Sequence, residues 1–229
     1  HPIRPFYSLL FRVNPDNPSS PTDIVCDLCV GKVPAGTNGG KKFTFKIRSG
    51  VKWHKMNITK STPAKMKEMA KLVGGTAMTA HDIVATFNKI IWPPKGVASA
   101  RKAFFGMVDK LTAPDDNTVV FDLKYPSGAF IPAVAMPYNF VYSKKILDKD
   151  MHWYEKNVMG TGGFMFVEWQ PGSHIKAERN PDYFREGQPY LDGTSAIFAK
   201  KYSINLQALR GGRAYIQFRG FPPKMRDDL

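Results

Sequence analysis

The sequence predicts an α+β fold, a mixed β-sheet lobe with peripheral helices. Three observations carry that reading. Residues 42–47 alternate strictly between polar and apolar side chains. Residues 63–73 and 79–91 repeat apolar side chains at helical spacing, and two hairpin patterns follow, at 108–123 and at 164–179. No internal repeat and no low-complexity tract beyond one early loop is present, which sets aside repeat architectures and independent domains on a linker.

Residues 14–40 are dense in Pro, Gly, Asn and Ser and favour turns, with at most a short strand or helix at 24–29. In 42–47, Phe43, Phe45 and Ile47 share one face, because successive side chains of a strand point to opposite sides. Ser49-Gly50 ends that strand. Pro63 suits a first helical turn, and Met66, Met69, Ala70 and Val73 line one side until Gly74-Gly75 stops the helix. The next helix opens with Thr79 and, three residues on, Asp82, a capping-box pattern that satisfies amides lacking a carbonyl partner. Ile83, Val84, Phe87, Ile90 and Ile91 form its apolar face, and Pro93-Pro94 terminates it. Residues 98–105 read as a shorter helix. Segments 108–112 and 118–123 flank the turn Ala113-Pro114-Asp115-Asp116-Asn117, and 164–169 and 174–179 flank Gln170-Pro171-Gly172-Ser173. A strand at 195–200, a short helix at 204–209 and a strand at 214–218 complete the pattern, the last leading outward as from an unfinished lobe.

Hydrophobic residues make up 43% of the 229, ample for a buried core. The longest apolar stretch, 129–142, is interrupted by Pro132 and Pro137 and is too short to span a bilayer. The opening His-Pro-Ile-Arg-Pro lacks the features of a signal peptide. Lysine and arginine outnumber aspartate and glutamate 33 to 19, a net +14 that biases encounter toward anionic partners. These basic residues are scattered, from Lys41 and Lys42 to Lys200 and Lys201, and are not interleaved with aromatics along one groove. A specific nucleic-acid binder is disfavoured, and a basic surface binding anionic polymers stays as an alternative.

Chemistry-bearing residues are sparse. Cys26 and Cys29 form a C-x-x-C compatible with a disulfide, a redox pair or half a zinc site, and the turn-rich flanks argue against a helix N-terminus that would activate a thiol. His54, His81, His152 and His174 lie at no metal-ligand spacing, so no metal site and no cofactor is assigned. His81 sits inside the capping box and His174 follows a hairpin turn, which makes each a solvated surface side chain. No Gly-x-Ser-x-Gly surrounds a serine, and Ser127-Gly128 and Ser173-His174 read as loop residues. No catalytic residue is assigned. Weak hydrolase (esterase-like) activity from scattered Ser, His and Asp remains the alternative to a binding function.

Read in order, residues 43–54 (FTFKIRSGVKWH), 75–84 (GTAMTAHDIV), 108–123, 160–164 (GTGGF), 179–184 (RNPDYF) and 190–192 (YLD) resemble the peptide and nickel class, family 5, of solute-binding proteins that serve ABC importers. The likeness covers nearly the whole chain. It departs at 55–74, where relatives have a short turn, and at 29–32, where they carry an acidic residue and a tryptophan. The resemblance implies one incomplete lobe of a two-lobed periplasmic-binding-protein-like fold: 1–10 a segment of the core subdomain, 11–159 an inserted subdomain of lobe I, and 160–229 part of the lobe I core. It implies capture of a peptide or similar small solute without chemistry, delivery to an ABC permease, and a periplasmic or extracytoplasmic place, with membrane association through the transporter or through a lipid anchor absent from these residues. It also places ligand contacts at Ser99, Arg101, Met136, Tyr138, Asn139, Gly160, Thr161 and Gly162. Glycine backbone allows close approach of a ligand, Arg101 can pair with a carboxylate, and Tyr138 can stack. Without a second lobe to enclose the solute, the expected affinity is millimolar or weaker, and an uncovered apolar face is expected to favour self-association.

Overall fold

The computed structural model describes residues 3–60, 62–217 and 223. A 3-10 turn at Arg4–Phe6 leads into β1 (Phe11–Val13), which pairs antiparallel with β2 (Ile24–Cys26). Next come β3 (Lys42–Lys46), α1 (Ala64–Val73) and α2 (Ala80–Ile91). A 3-10 turn at Lys102–Phe105, β4 (Val108–Asp115) and β5 (Thr118–Leu123) follow. Two short helices, α3 (Phe130–Val134) and α4 (Lys144–Lys149), precede β6 (Phe164–Gln170), β7 (His174–Arg179), β8 (Gly193–Ile197) and α5 (Tyr202–Arg210). Among the described residues the strands form three antiparallel sheets, ordered β1-β2, β3-β5-β4 and β6-β7-β8, so the mixed α+β class is the observed one. Among the described residues no helix is long and apolar enough to cross a membrane.

The alternation in β3 has the predicted consequence. Phe43 and Phe45 are buried while Lys42, Thr44 and Lys46 are exposed, and the register sets Phe43 against Phe121 and Phe45 against Val119 on one face. Phe121 meets Phe45, Phe87 and Phe130 edge-on, with ring centroids 5.1 to 5.8 Å apart, an arrangement favoured by the ring quadrupole. At the start of α2 the Asp82 carboxylate accepts the Thr79 amide at 2.8 Å, and its second oxygen accepts the Lys144 amide at 2.7 Å, so one buried acid begins two helices.

Several predicted elements differ. The helix at 98–105 shrinks to its last four residues, because the Ser99 hydroxyl donates to the Ile90 carbonyl at 2.6 Å and closes the end of α2. The predicted five-residue turn at 113–117 is absorbed into β4, which bulges twice and reverses at Asp116-Asn117. The strand expected at 195–200 forms at Gly193–Ile197. No strand forms over residues 214–217, where Tyr215 and Ile216 are exposed and find no neighbouring strand; Phe218 lies outside the described residues. Cys26 and Cys29 of the C-x-x-C are joined as a disulfide, so neither thiolate is available to a zinc ion in this structure.

Candidate functional site

The N-terminal segment joins the two large sheets, and the glycine loop at 160–163 is where it does so. The Gly162 amide donates to the Phe6 carbonyl at 3.0 Å, the His54 amide to the Gly160 carbonyl at 2.9 Å, and the Ser8 hydroxyl to the Thr161 carbonyl at 3.2 Å. The Gly162 carbonyl lies 2.8 Å from His54 Nε2 and accepts the Asn180 amide group at 2.9 Å. A Cβ at Gly160 would stand 2.0 Å from the Phe6 carbonyl oxygen, and one at Gly162 would stand 2.3 Å from that of Pro5. The close approach that glycine permits is therefore used by the chain's own backbone. His54 is buried, and desolvation pushes its pKa down to about 4, so the ring is neutral and donates from Nε2.

Asp27, between the disulfide cysteines, anchors the same junction. Its carboxylate accepts the Leu9 amide at 2.9 Å and Arg185 Nη2 at 2.7 Å, while its carbonyl accepts Arg48 Nε at 2.8 Å. Arg48 and Arg185 both pack over Phe184, at 5.7 and 5.4 Å from the ring centre.

Beside this junction lies a cavity of about 400 Å³ walled by Phe6, Tyr7, Tyr142, Tyr154, Phe166 and Trp169, among others. Tyr142 and Tyr154 stack at 4.3 Å, and Tyr7 stacks on Phe140 at 4.9 Å. Burial raises the phenol pKa of Tyr7, Tyr142 and Tyr154, so all three stay protonated and offer hydroxyl groups in an apolar wall. A second cavity of about 320 Å³, walled by His54, Lys55, Met56, Met66 and Met165, shares Val158 and Phe166 with the first. Residues 55–66 form much of its wall, together with His54 and residues of the 158–167 stretch.

The expected ligand residues fall in three places. Gly160, Thr161 and Gly162 meet at the junction, all buried, and the Thr161 hydroxyl has no hydrogen-bond partner. Ser99 and Arg101 follow α2, with Ser99 closing it and Arg101 Nε unpartnered near enough to Tyr142 to act on its charge. Asn139 is buried and donates to the Ala133 and Val134 carbonyls, Met136 is half-buried, and Tyr138 is exposed. The sequence reading passed over Tyr7, Tyr142 and Tyr154, whose separation along the chain leaves no local pattern. It also took His174 for a solvated side chain, whereas its side chain is 19% exposed and bonded to both Ser173 and Glu168.

Among the described residues no group of His, Cys, Asp and Glu is arranged to hold a metal ion. The family model of bacterial extracellular solute-binding proteins, family 5, matches residues 36–226. The oligopeptide-binding protein AppA of Bacillus subtilis is 30% identical over 161 residues, covering 68% of this chain and 26% of AppA. The dipeptide-binding protein DppE of the same organism is 25% identical over 211 residues, covering 84% of this chain and 38% of DppE. Superposed on the solved structure of AppA with a nonapeptide, the chain gives a TM-score of 0.73 at 26% identity, over 92% of its own length and 37% of that chain. The substrate-binding protein CtaP of Listeria monocytogenes shares the fold with a TM-score of 0.74 at 24% identity, over 98% and 40%. The chain thus spans between a quarter and two fifths of the length of these proteins.

Proposed function

The chain belongs to the bacterial extracellular solute-binding proteins, family 5, and from this we propose that it contributes to capturing a peptide or similar small solute for an ABC importer. The observation that carries the reading is the likeness to AppA, a protein solved with a nonapeptide, over nearly the whole of this chain. The partner that receives the solute is then an ABC permease, and the place of action is extracytoplasmic, held at the membrane by that transporter or by a lipid anchor.

Buried polar atoms without partners support three of the proposed contacts: Thr161 Oγ1, Arg101 Nε and Asn139 Oδ1. Met136 and Tyr138 offer half-buried and exposed surface for a side chain. Ser99, Gly160 and Gly162 already bond within the chain and act by holding the loops that carry the others. The proposed division at residues 10 and 159 follows two apolar clusters in outline, one built on Phe45, Phe87 and Phe121 that also takes in Leu10, the other on Phe6, Tyr7 and Ile175 that also takes in Phe140, with Tyr154 packed against both.

A thermal-shift screen against di-, tri- and oligopeptides, with polyanions as comparators, tests the capture reading. Saturable stabilisation at millimolar peptide, with the peptide recovered unaltered, is the expected result. Stabilisation by polyanions alone, fading as salt rises, replaces capture with the basic-surface alternative. Self-association through the exposed apolar residues of the second sheet is checked by sedimentation, and a monomer that binds no apolar dye removes it.

A further inference from the structure

We propose that this chain carries a second activity, hydrolysis of small apolar esters by Ser173 with His174 as its base and Glu168 as a positioning residue. The arrangement stands on the β6–β7 hairpin. Ser173 Oγ lies 2.9 Å from His174 Nδ1, and His174 Nε2 lies 2.9 Å from Glu168 Oε1. One neutral tautomer satisfies both contacts: Nε2–H donates to the carboxylate, and the Nδ1 lone pair accepts the serine proton. These are the relations that define a nucleophile, base and orienting acid, whatever their order in the chain.

The β-bulge brings the carboxylate into place. Phe166 pairs with Ala177, but Glu168 and not Val167 pairs with Lys176, so the extra residue turns Glu168 onto the face that carries His174 and Lys176. Lys176 Nζ, 2.6 Å from the same carboxylate oxygen, holds the Glu168 carboxyl below its usual range, with His174 adding to the effect. Ile197 stands directly across from His174 on that face and is 57% exposed, apolar surface on which a short acyl group can rest. Ser173 sits at the exposed tip, and the Gly172 amide before it bonds to no acceptor among the described residues, leaving a donor for a carbonyl oxygen as it gains charge. Gly172 also borders the aromatic cavity on the opposite face.

In the reaction, the Ser173 oxygen attacks the ester carbonyl as its proton passes to His174 Nδ1, and the imidazolium so formed is stabilised by Glu168. Collapse expels the alcohol, which takes that proton, and leaves an acyl-serine. A water molecule, deprotonated by the same nitrogen, then attacks the acyl carbon, releases the acid and returns the proton to Ser173. Ester and water become acid and alcohol, and the protein is unchanged. The open, shallow site favours short acyl chains and a high KM.

The test follows p-nitrophenolate release from p-nitrophenyl acetate and butyrate by the purified chain, with fluorophosphonate labelling and peptide mapping alongside. Saturable turnover is expected, with Ser173→Ala and His174→Gln each lowering kcat by about 100-fold or to the buffer rate. Glu168→Gln is expected to lower kcat by about 10-fold with KM unchanged, and Ile197→Ser to raise KM for butyrate while kcat holds. The label should fall on Ser173 and be lost in His174→Gln. The side chain of Ser173 is exposed, so circular dichroism of Ser173→Ala should match that of the parent. Turnover that survives Ser173→Ala, a label on another residue, or a parent rate equal to buffer overturns the proposal. The outcome is independent of peptide capture, since no residue of the hairpin tip belongs to the proposed solute contacts.

Discussion

The sheet β3-β5-β4 and the sheet β6-β7-β8 have the same antiparallel three-stranded order, yet they meet solvent differently. In the first, Phe45, Val119 and Phe121 are fully enclosed, with α2, α3 and the 3-10 turn that carries Phe105, all between residues 80 and 134, packed around them. In the second, only Ile175 and Ala177 are buried, and what covers them is distant in sequence: Phe6 and Tyr7 at one end and Phe140 in the middle. Trp169, Ile197 and Phe198 stay exposed. The contrast teaches that the first sheet carries the stability of the chain, while the second borrows its cover through the junction and keeps accessible side chains on its surface.

The widest gap between the two regions should come from truncating their aromatic residues. Phe121→Ala removes the ring at the centre of the first core and is expected to cost about 3–5 kcal/mol in urea unfolding. A much smaller loss would mean that this core is loosely packed. Acidification probes the junction. His54 is held neutral in the fold, its pKa down from the ordinary 6.5 to about 4. Between those values the unfolded chain takes up a proton that the folded chain refuses, so stability is full above the upper value and falls as pH drops toward the lower. The loss amounts to on the order of 3 kcal/mol, and His54→Gln should abolish it in unfolding curves at neutral and acid pH. Gly162→Ala forces the N-terminal segment away from the glycine loop, with an expected cost of about 1–3 kcal/mol and faster proteolysis of the second sheet than of the first. Trp169→Ser should change stability by no more than about 0.5 kcal/mol while reducing apolar-dye binding. A large destabilisation there would show that the second sheet has a core of its own.

Much of the first region was legible because its signals are local. The alternation around Phe43 and Phe45, the Thr79 and Asp82 pair, and the proline stop after α2 each depend on residues within a few positions of one another. The short helices α3 and α4 were not, since Pro132 and Pro137 mask the spacing in an apolar run whose folding is set by the Asn139 amide closing α3 and by Asp82 opening α4. Of the proposed contacts, Gly160, Thr161 and Gly162 could be picked out by composition, but that their approach distance is occupied by Pro5 and Phe6 could not.

The sequence by itself determined the α+β class, the order of most elements, the family, and which faces of β3 and α2 turn inward, because side-chain periodicity and capping are properties of short segments. Tertiary structure alone decided the rest. The Ser8 to Thr161 bond spans 153 positions, the aromatic cavity brings Tyr7 of the N-terminal segment to Tyr142 and Tyr154 from far along the chain, and one bulged residue moves Glu168 to the face of His174. Contacts of that kind depend on register and on how separate elements dock, and neither leaves a periodic trace in the order of the residues.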